Sequence, residues 1–247
     1  MYKLGLIGTP LTHSFSKEYF VEKFAKDNDD IFSYHLYDLK KIHHINRIYD
    51  PKLVGLNVTR PYKKKIIKYL DKLDVLAQNT QSVNTIFINP KNKQKTGYNT
   101  DIIGFKKLFN QLYIKKDMQA LILGSGGASN TVSYVLHEKN IKHKIVSRKP
   151  TNNMLSYKDL NNVFSDFNLI INTTPLGQYP NINSQPKIPY HLISTRYQCI
   201  DLIYNPKKTL FLQKSEAKGA KIINGIKMLS AQAEASFLIW TDSLKKI

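Results

Sequence analysis

The chain has 247 residues, enough to bury a core in one large α/β domain or two small ones, and its 42% hydrophobic, 22% charged composition is ordinary for a globular protein. No apolar run approaches the ~20 residues of a membrane-spanning helix, and the lone cysteine, Cys199, excludes an internal disulfide and cannot make a zinc site alone. The net charge of +19 is spread along the chain on lysines, with no basic tract interleaved with aromatics, so it reads as compositional bias rather than a nucleic-acid surface.

Met1-Tyr2-Lys3 leads straight into strand-like Leu4–Ile7, which predicts a cytoplasmic protein without a signal peptide. A loop through Thr9–His13 follows, and Ser14–Lys26 then places Phe15, Tyr19, Phe20 and Phe24 at helical spacing. Strands are predicted at Ile31–Tyr37 and Leu53–Thr59. Next come a lysine-rich helix carrying Ile66, Ile67 and Leu70, a strand over Ser82–Asn89, a turn at Pro90–Lys93 and a strand over Lys95–Asn99. A helix from Asp101 to about Leu112 links this unit to a second one. There, strands are expected at Gln119–Leu123, Lys144–Ser147, Leu169–Thr173, Cys199–Ile203 and Lys221–Ile223, with an amphipathic helix over Ser129–Lys139, a surface loop over Pro175–Pro189 and a last amphipathic helix over Met228–Trp240. Strands separated by helices imply parallel pairing through right-handed crossovers, so both halves read as α/β.

Leu121-Ile122-Leu123 runs into Gly124-Ser125-Gly126-Gly127-Ala128-Ser129, the strand, glycine turn and helix start of a dinucleotide-binding unit. Gly124 permits the tight turn, and Gly126 lets backbone N–H groups approach a pyrophosphate. The strand after the next helix ends in Ser147-Arg148-Lys149, where an NAD site often carries an acid for the ribose hydroxyls. Arg148 can instead grip a 2′-phosphate, with Ser147 and Lys149 assisting, so NADP is preferred over NAD. A solvated basic turn is the plainer account of Lys149.

Four polar clusters interrupt the apolar patterns of the first half: His13-Ser14-Phe15-Ser16, Asn57-Val58-Thr59-Arg60-Pro61-Tyr62-Lys63, Ser82-Val83-Asn84-Thr85 and Asn99-Thr100-Asp101. Each follows or ends a predicted strand, the edge where open α/β sheets bind ligands. Taken singly, each has an ordinary explanation: Ser14 or Ser16 as a helix cap, Asn57 and Thr59 as turn formers, Asn84 as a partner of backbone groups, Asp101 as a cap of the linking helix.

Taken in order, these segments with the glycine cluster and Gly225-Ile226-Lys227-Met228-Leu229-Ser230-Ala231-Gln232 resemble the shikimate dehydrogenase family from Gly5 to Trp240. The resemblance implies a two-domain α/β fold. Residues 1–100, completed by the helix at 226–247, would form the substrate and catalytic domain, and 101–225 a Rossmann-like, doubly wound parallel-sheet NADP domain, with a cleft between them. It implies reversible NADPH-dependent reduction of 3-dehydroshikimate to shikimate in aromatic amino acid biosynthesis. Ser14 and Ser16 would bind the substrate carboxylate, helped by Tyr204; Thr59, Asn84, Asp101 and Gln232 would reach the ring hydroxyls. Lys63 and Asp101 would be the catalytic pair: the alkoxide formed by hydride attack needs a proton and nearby positive charge, and an adjacent aspartate favours the charged, donating lysine. Thr173, Thr174, Ile203, Gly225 and Met228 would touch the cofactor, plain core packing being as good an account of Met228. No metal is implied, and a monomer and a homodimer are equally compatible.

The sequence departs from the family pattern at Arg60, a position commonly small and aliphatic, at Ile102, commonly glycine, and at Pro175 beside the Thr173-Thr174 loop. An NAD-using quinate/shikimate dehydrogenase would share Lys63 and Asp101 and differ at the adenosine pocket, where the absent acid argues against it. A catalytically silent NADP-binding regulator would have no use for Lys63, Asp101, Asn84 and Gln232 together.

Overall fold

The computed structural model describes residues 1–11, 15–27, 30–151 and 153–247. The chain divides into two compact units, one of residues 1–100 with 232–247, the other of residues 101–231.

In the first unit, strand β1 (Tyr2–Gly8) leads through helix α1 (Phe15–Asp27) to β2 (Phe32–Asp38), and a 3-10 helix (Ile42–Arg47) leads to β3 (Leu53–Val58). A second 3-10 helix (Lys65–Tyr69), β4 (Lys72–Leu73), α2 (Val75–Thr80), β5 (Thr85–Ile88) and β6 (Lys95–Tyr98) follow. The strands form one sheet in the order β2-β1-β3-β5-β6-β4. β1 pairs in parallel with β2 and β3, as expected, but β5 is antiparallel to both β3 and β6. The sheet is therefore mixed rather than parallel. The reason is local: the Asn89 side chain accepts the backbone N–H groups of Lys91 (2.9 Å) and Asn92 (3.3 Å), and Lys93 takes φ 62°, which closes a hairpin too short for a parallel crossover.

The predicted lysine-rich helix is only the 3-10 turn Lys65–Tyr69. Its flanks are already committed, because Val83 N–H donates to the Lys63 carbonyl (2.8 Å) and Asp71 N–H to the Lys95 carbonyl (2.9 Å), leaving too few residues for an α-helical stretch. Likewise the strand expected from Ser82 starts at Thr85, because the Val83 N–H is taken by the Lys63 carbonyl instead of a neighbouring strand.

Buried β3 divides its side chains between two faces, Val54 packing with Leu4, Phe20 and Trp240, and Leu56 and Val58 with Ile7, Ile66 and Ile86, a division that the register shift opposite Lys3 and Leu4 makes possible. Trp240 is fully buried and donates its indole N–H to the Ile86 carbonyl at 2.9 Å, which locks the last helix onto the sheet.

The second unit starts with α3 (Asp101–Phe109), then β7 (Gln119–Leu123), α4 (Gly127–Glu138), β8 (Lys142–Ser147), β9 (Leu155–Ser156), α5 (Leu160–Val163), β10 (Leu169–Asn172), β11 (Gln198–Asp201), α6 (Leu210–Glu216) and β12 (Lys221–Ile223). The last helix, α7 (Ile226–Lys245), is longer than the sequence pattern predicts. The sheet is parallel throughout, in the order β12-β11-β10-β7-β8-β9, the Rossmann order in which the strand path reverses between β7 and β10. α6 was not legible in the sequence; Thr209 caps it by accepting the Leu212 N–H (3.4 Å). Among the described residues no helix is long and apolar enough to cross a membrane.

Candidate active site

In the first unit, a buried hydrogen-bond network runs across the strand ends. The Tyr34 hydroxyl donates to Asn57 Oδ1 (2.7 Å), and burial raises its pKa, while a hydrogen bond to Ser16 lowers it. Asn57 Nδ2 reaches the Asn84 carbonyl (3.3 Å), Thr85 Oγ1 (3.4 Å) and Ser236 Oγ (3.0 Å). Ser236 Oγ also lies 2.7 Å from Thr85 Oγ1 and 3.0 Å from Thr100 Oγ1, and donates to the Gln232 carbonyl (2.8 Å) one helical turn earlier. Asn84 completes the network. Its Nδ2 donates to Thr100 Oγ1 (2.8 Å) and Gln232 Oε1 (3.1 Å), and its Oδ1 accepts the Thr100 N–H (2.7 Å). Ser16, Asn84 and Gln232, three residues singled out from the sequence, thus belong to one set of linked polar groups.

Lys63 and Asp101 attach to this set through the backbone. The Lys63 carbonyl accepts from Val83, the neighbour of Asn84, and Asp101 directly follows Thr100, whose N–H Asn84 binds. Asp101 is buried and is the first residue of α3; Lys63 is half-buried. Thr59 donates its N–H to Ile7 (2.9 Å) and is half-buried, whereas Arg60 is exposed. Ser14 lies outside the described residues.

In the second unit, the predicted cofactor residues gather at the C-terminal ends of the parallel strands. Gly124 has φ 109°, and a Cβ there would lie 2.9 Å from Thr173 Oγ1 and 3.0 Å from Thr174 Cγ2, so both backbone conformation and space demand glycine at the strand-order reversal. Thr173 Oγ1 in turn donates to the Leu123 carbonyl at 2.7 Å. A Cβ on Gly126 would meet nothing within 4 Å, and Gly126 caps α4 with no side-chain hydrogen bond. The first turn of α4, with Gly127 and Ala128 half-buried, therefore offers uncapped N–H groups to an anion. Ser125 Oγ lies 3.1 Å from Ser147 Oγ, which also accepts the Lys149 N–H (3.2 Å); Arg148 and Lys149 are exposed. These groups fit a phosphorylated dinucleotide: open helix N-terminus, neighbouring hydroxyls and two cations in place of an acid. On the other side, Gly225 donates its N–H to the Ile203 carbonyl (3.1 Å), and a Cβ on Gly225 would overlap the Leu202 carbonyl. Ile203 and Met228 are buried and Tyr204 is half-buried.

Sequence reasoning missed a second polar cluster at the ends of β10 and β11. Asp201 is fully buried, and desolvation pushes its carboxyl up to about 6 against the hydrogen bonds that favour its ionised form. Thr209 Oγ1 donates to Oδ2 (2.6 Å), and Ile203 N–H (3.0 Å) and Asn172 Nδ2 (3.1 Å) donate to Oδ1. Asn172 Oδ1 accepts the Thr174 N–H (3.0 Å) and hydroxyl (2.6 Å). A polar residue closing an otherwise apolar buried strand was the available signal, at both Asn172 and Asp201.

Residues 6–86 match the family described as Shikimate dehydrogenase substrate binding domain. The chain is 37% identical over 265 residues to a shikimate dehydrogenase (NADP(+)) of Methanococcus vannielii, covering 96% of this chain and 90% of the relative. The fold is similar to the crystal structure of shikimate dehydrogenase 1 from Peptoclostridium difficile, with a TM-score of 0.84 and 34% identity over 98% of this chain and 92% of that one. It is also similar to shikimate 5-dehydrogenase from Thermus thermophilus in complex with NADP(H) and shikimate, with a TM-score of 0.84 and 26% identity over 98% and 94% of the two chains.

Proposed function

The chain belongs to the shikimate dehydrogenase family, and from that premise we infer that it is an NADP-dependent oxidoreductase interconverting 3-dehydroshikimate and shikimate, a step of aromatic amino acid biosynthesis. The observation that carries this reading is the Asn84–Gln232 pair: two amides 148 positions apart are held at 3.1 Å in a buried polar cluster. A hydroxylated ring acid needs such fixed donors and acceptors, and a site built to hydrogen-bond hydroxyls rejects analogues lacking them.

The Gly124–Ala128 turn, Ser147, Arg148, Lys149, Thr173 and Thr174 would hold NADP, which would supply or accept the hydride when bound. The rest falls to side chains of this chain. Ser14 and Ser16 receive the substrate carboxylate, with Tyr204, while Thr59, Asn84 and Gln232 fix the ring hydroxyls. Lys63 donates a proton to the oxygen at C3 during reduction and takes it back during oxidation. Asp101 stabilises the positive charge on Lys63 and holds the same hydroxyl, so the reacting oxygen faces a donor and an acceptor at once. What supports the pair is the short path joining them: Lys63 carbonyl to Val83, Asn84 side chain to Thr100, then Asp101. We place the enzyme in the cytoplasm, consistent with its one cysteine, Cys199, being a buried free thiol.

Steady-state oxidation of shikimate and of quinate, each with NADP+ and NAD+, tests the assignment. Turnover of shikimate with NADP+ at the highest kcat/KM is expected. Absence of shikimate turnover with either cofactor would refute it.

A further inference from the structure

Asp201 takes no part in binding or proton transfer in that scheme, yet its carboxylate is wholly enclosed at the end of β11. Every polar group recorded against it is a donor: Thr209 Oγ1 at 2.6 Å, Ile203 N at 3.0 Å and Asn172 Nδ2 at 3.1 Å. Thr209 Oγ1 itself accepts from Leu212 N–H, which directs its own proton toward Asp201. An all-donor surrounding selects the ionised carboxylate. Among the described residues, none of the recorded ion pairs involves Asp201.

A buried anion that no cation faces is costly, and a role confined to bracing the loops gives no use for that cost. Asp201 begins the turn that carries Ile203, and that turn is bonded to Gly225 through the Ile203 carbonyl at 3.1 Å. On the functional reading, Ile203, Gly225 and Met228 are the nicotinamide side of the cofactor site. The nicotinamide ring carries a positive charge when oxidised and none when reduced.

We propose that Asp201 is an electrostatic positioning residue whose buried negative charge favours the oxidised, cationic nicotinamide over the reduced ring and thereby sets the ratio of NADP+ to NADPH affinity. The proposal rests on the assignment of Ile203, Gly225 and Met228 to the nicotinamide.

Dissociation constants for NADP+ and NADPH, measured by calorimetry and by NADPH fluorescence on the full chain, test it. In Asp201→Asn, Kd(NADP+)/Kd(NADPH) rises by roughly three- to tenfold, the scale of one charge about 10 Å away in a medium of effective dielectric of about 30 to 40. Thr209→Ser, which keeps the hydroxyl donor and with it the charge, leaves the ratio where it was. An unchanged ratio in folded Asp201→Asn overturns the proposal, as does an equal rise in Thr209→Ser.

If Asp201→Asn does not fold, the wild-type ratio is followed from pH 8 to pH 5, where it rises as Asp201 takes up a proton; a flat ratio overturns the proposal. The 2′-phosphate is common to both cofactor forms and cancels. Of the groups around Asp201, Tyr190 and Cys199 are kept neutral by burial, and the charged Lys207 and Lys208 are exposed on the loop leading to Thr209. The exposed His191 is controlled by repeating the series in His191→Asn. Wild-type protein that binds neither NADP+ nor NADPH is a separate outcome: it overturns the cofactor assignment itself, and the proposal with it.

Discussion

Arg148 and Asp201 sit at the ends of strands in one sheet and differ in how they could be found. Arg148 was legible because the glycine turn after β7 fixes where the next strand must end, and chemistry then distinguishes a cation from an acid at that place. Arg148→Ala is expected to raise the Kd for NADP+ about tenfold or more with NAD+ little affected. Equal losses for the two cofactors in a binding titration would refute the 2′-phosphate assignment. Asp201 was not legible. After Cys199-Ile200 it reads as a polar residue ending a strand, and its partners Asn172 and Thr209 are 29 and 8 positions away. Its stability signature is specific. The folded-state pKa of about 6 lies above the unfolded value of 3.8, so the folded state binds the proton first and this group's destabilisation is relieved as pH falls from about 6 toward 4. Thermal unfolding of wild type and Asp201→Asn at pH 7.5 and 4.5 checks this. The advantage of the variant over wild type should be larger at pH 7.5, by an amount on the order of 2 kcal/mol.

At the level of elements, α7 shows why a sequence motif and a fold can be the same object. Its helical periodicity was readable from Met228, Leu229, Ala235, Leu238 and Ile239, but Leu238 is exposed and the packing is carried by Ala233 and Trp240; Gln232 was readable as part of a motif. Ser236 was not, since a serine one turn after Gln232 has no signature until the helix is docked. Its hydroxyl has one proton and two lone pairs yet lies within 3.0 Å of Asn57, Thr85, Thr100 and the Gln232 carbonyl, so it registers the helix against three strands or strand ends at once. Ser236→Ala is expected to raise the KM for shikimate about tenfold, the scale of one lost buried partner, while leaving the Kd for NADP+ unchanged. Steady-state kinetics beside a cofactor titration would show it. A loss confined to Tm, with KM unaltered, would mean that the cluster only stabilises the fold. The lysine-rich segment gives the opposite lesson. Its periodicity predicted a helix, and tertiary hydrogen bonds at Lys63 and Asp71 overrode it.

For the whole molecule, the parallel second sheet followed from strands alternating with helices, and the mixed first sheet did not. The turn at Pro90–Lys93 was visible, but its consequence, an antiparallel β5–β6 pair beside β3, lay in the connection length rather than in the strands themselves. The candidate site was legible as an ordered set of short motifs, although the 82–85 segment opens β5 instead of ending a strand and reaches the same edge only because β5 runs antiparallel to β3 and β6; the network joining Ser16, Asn84 and Gln232 was hidden because it is made by residues that are ordinary one at a time. The central claim is that this scaffold runs a hydride transfer whose proton is handled by Lys63. It is tested most directly by kcat and KM for NADP+-dependent shikimate oxidation in wild type and Lys63→Ala. The account predicts a fall in kcat of roughly 10²- to 10⁴-fold with a much smaller change in KM, because proton transfer matters mainly in the transition state. A folded Lys63→Ala protein that keeps most of the wild-type kcat would contradict it.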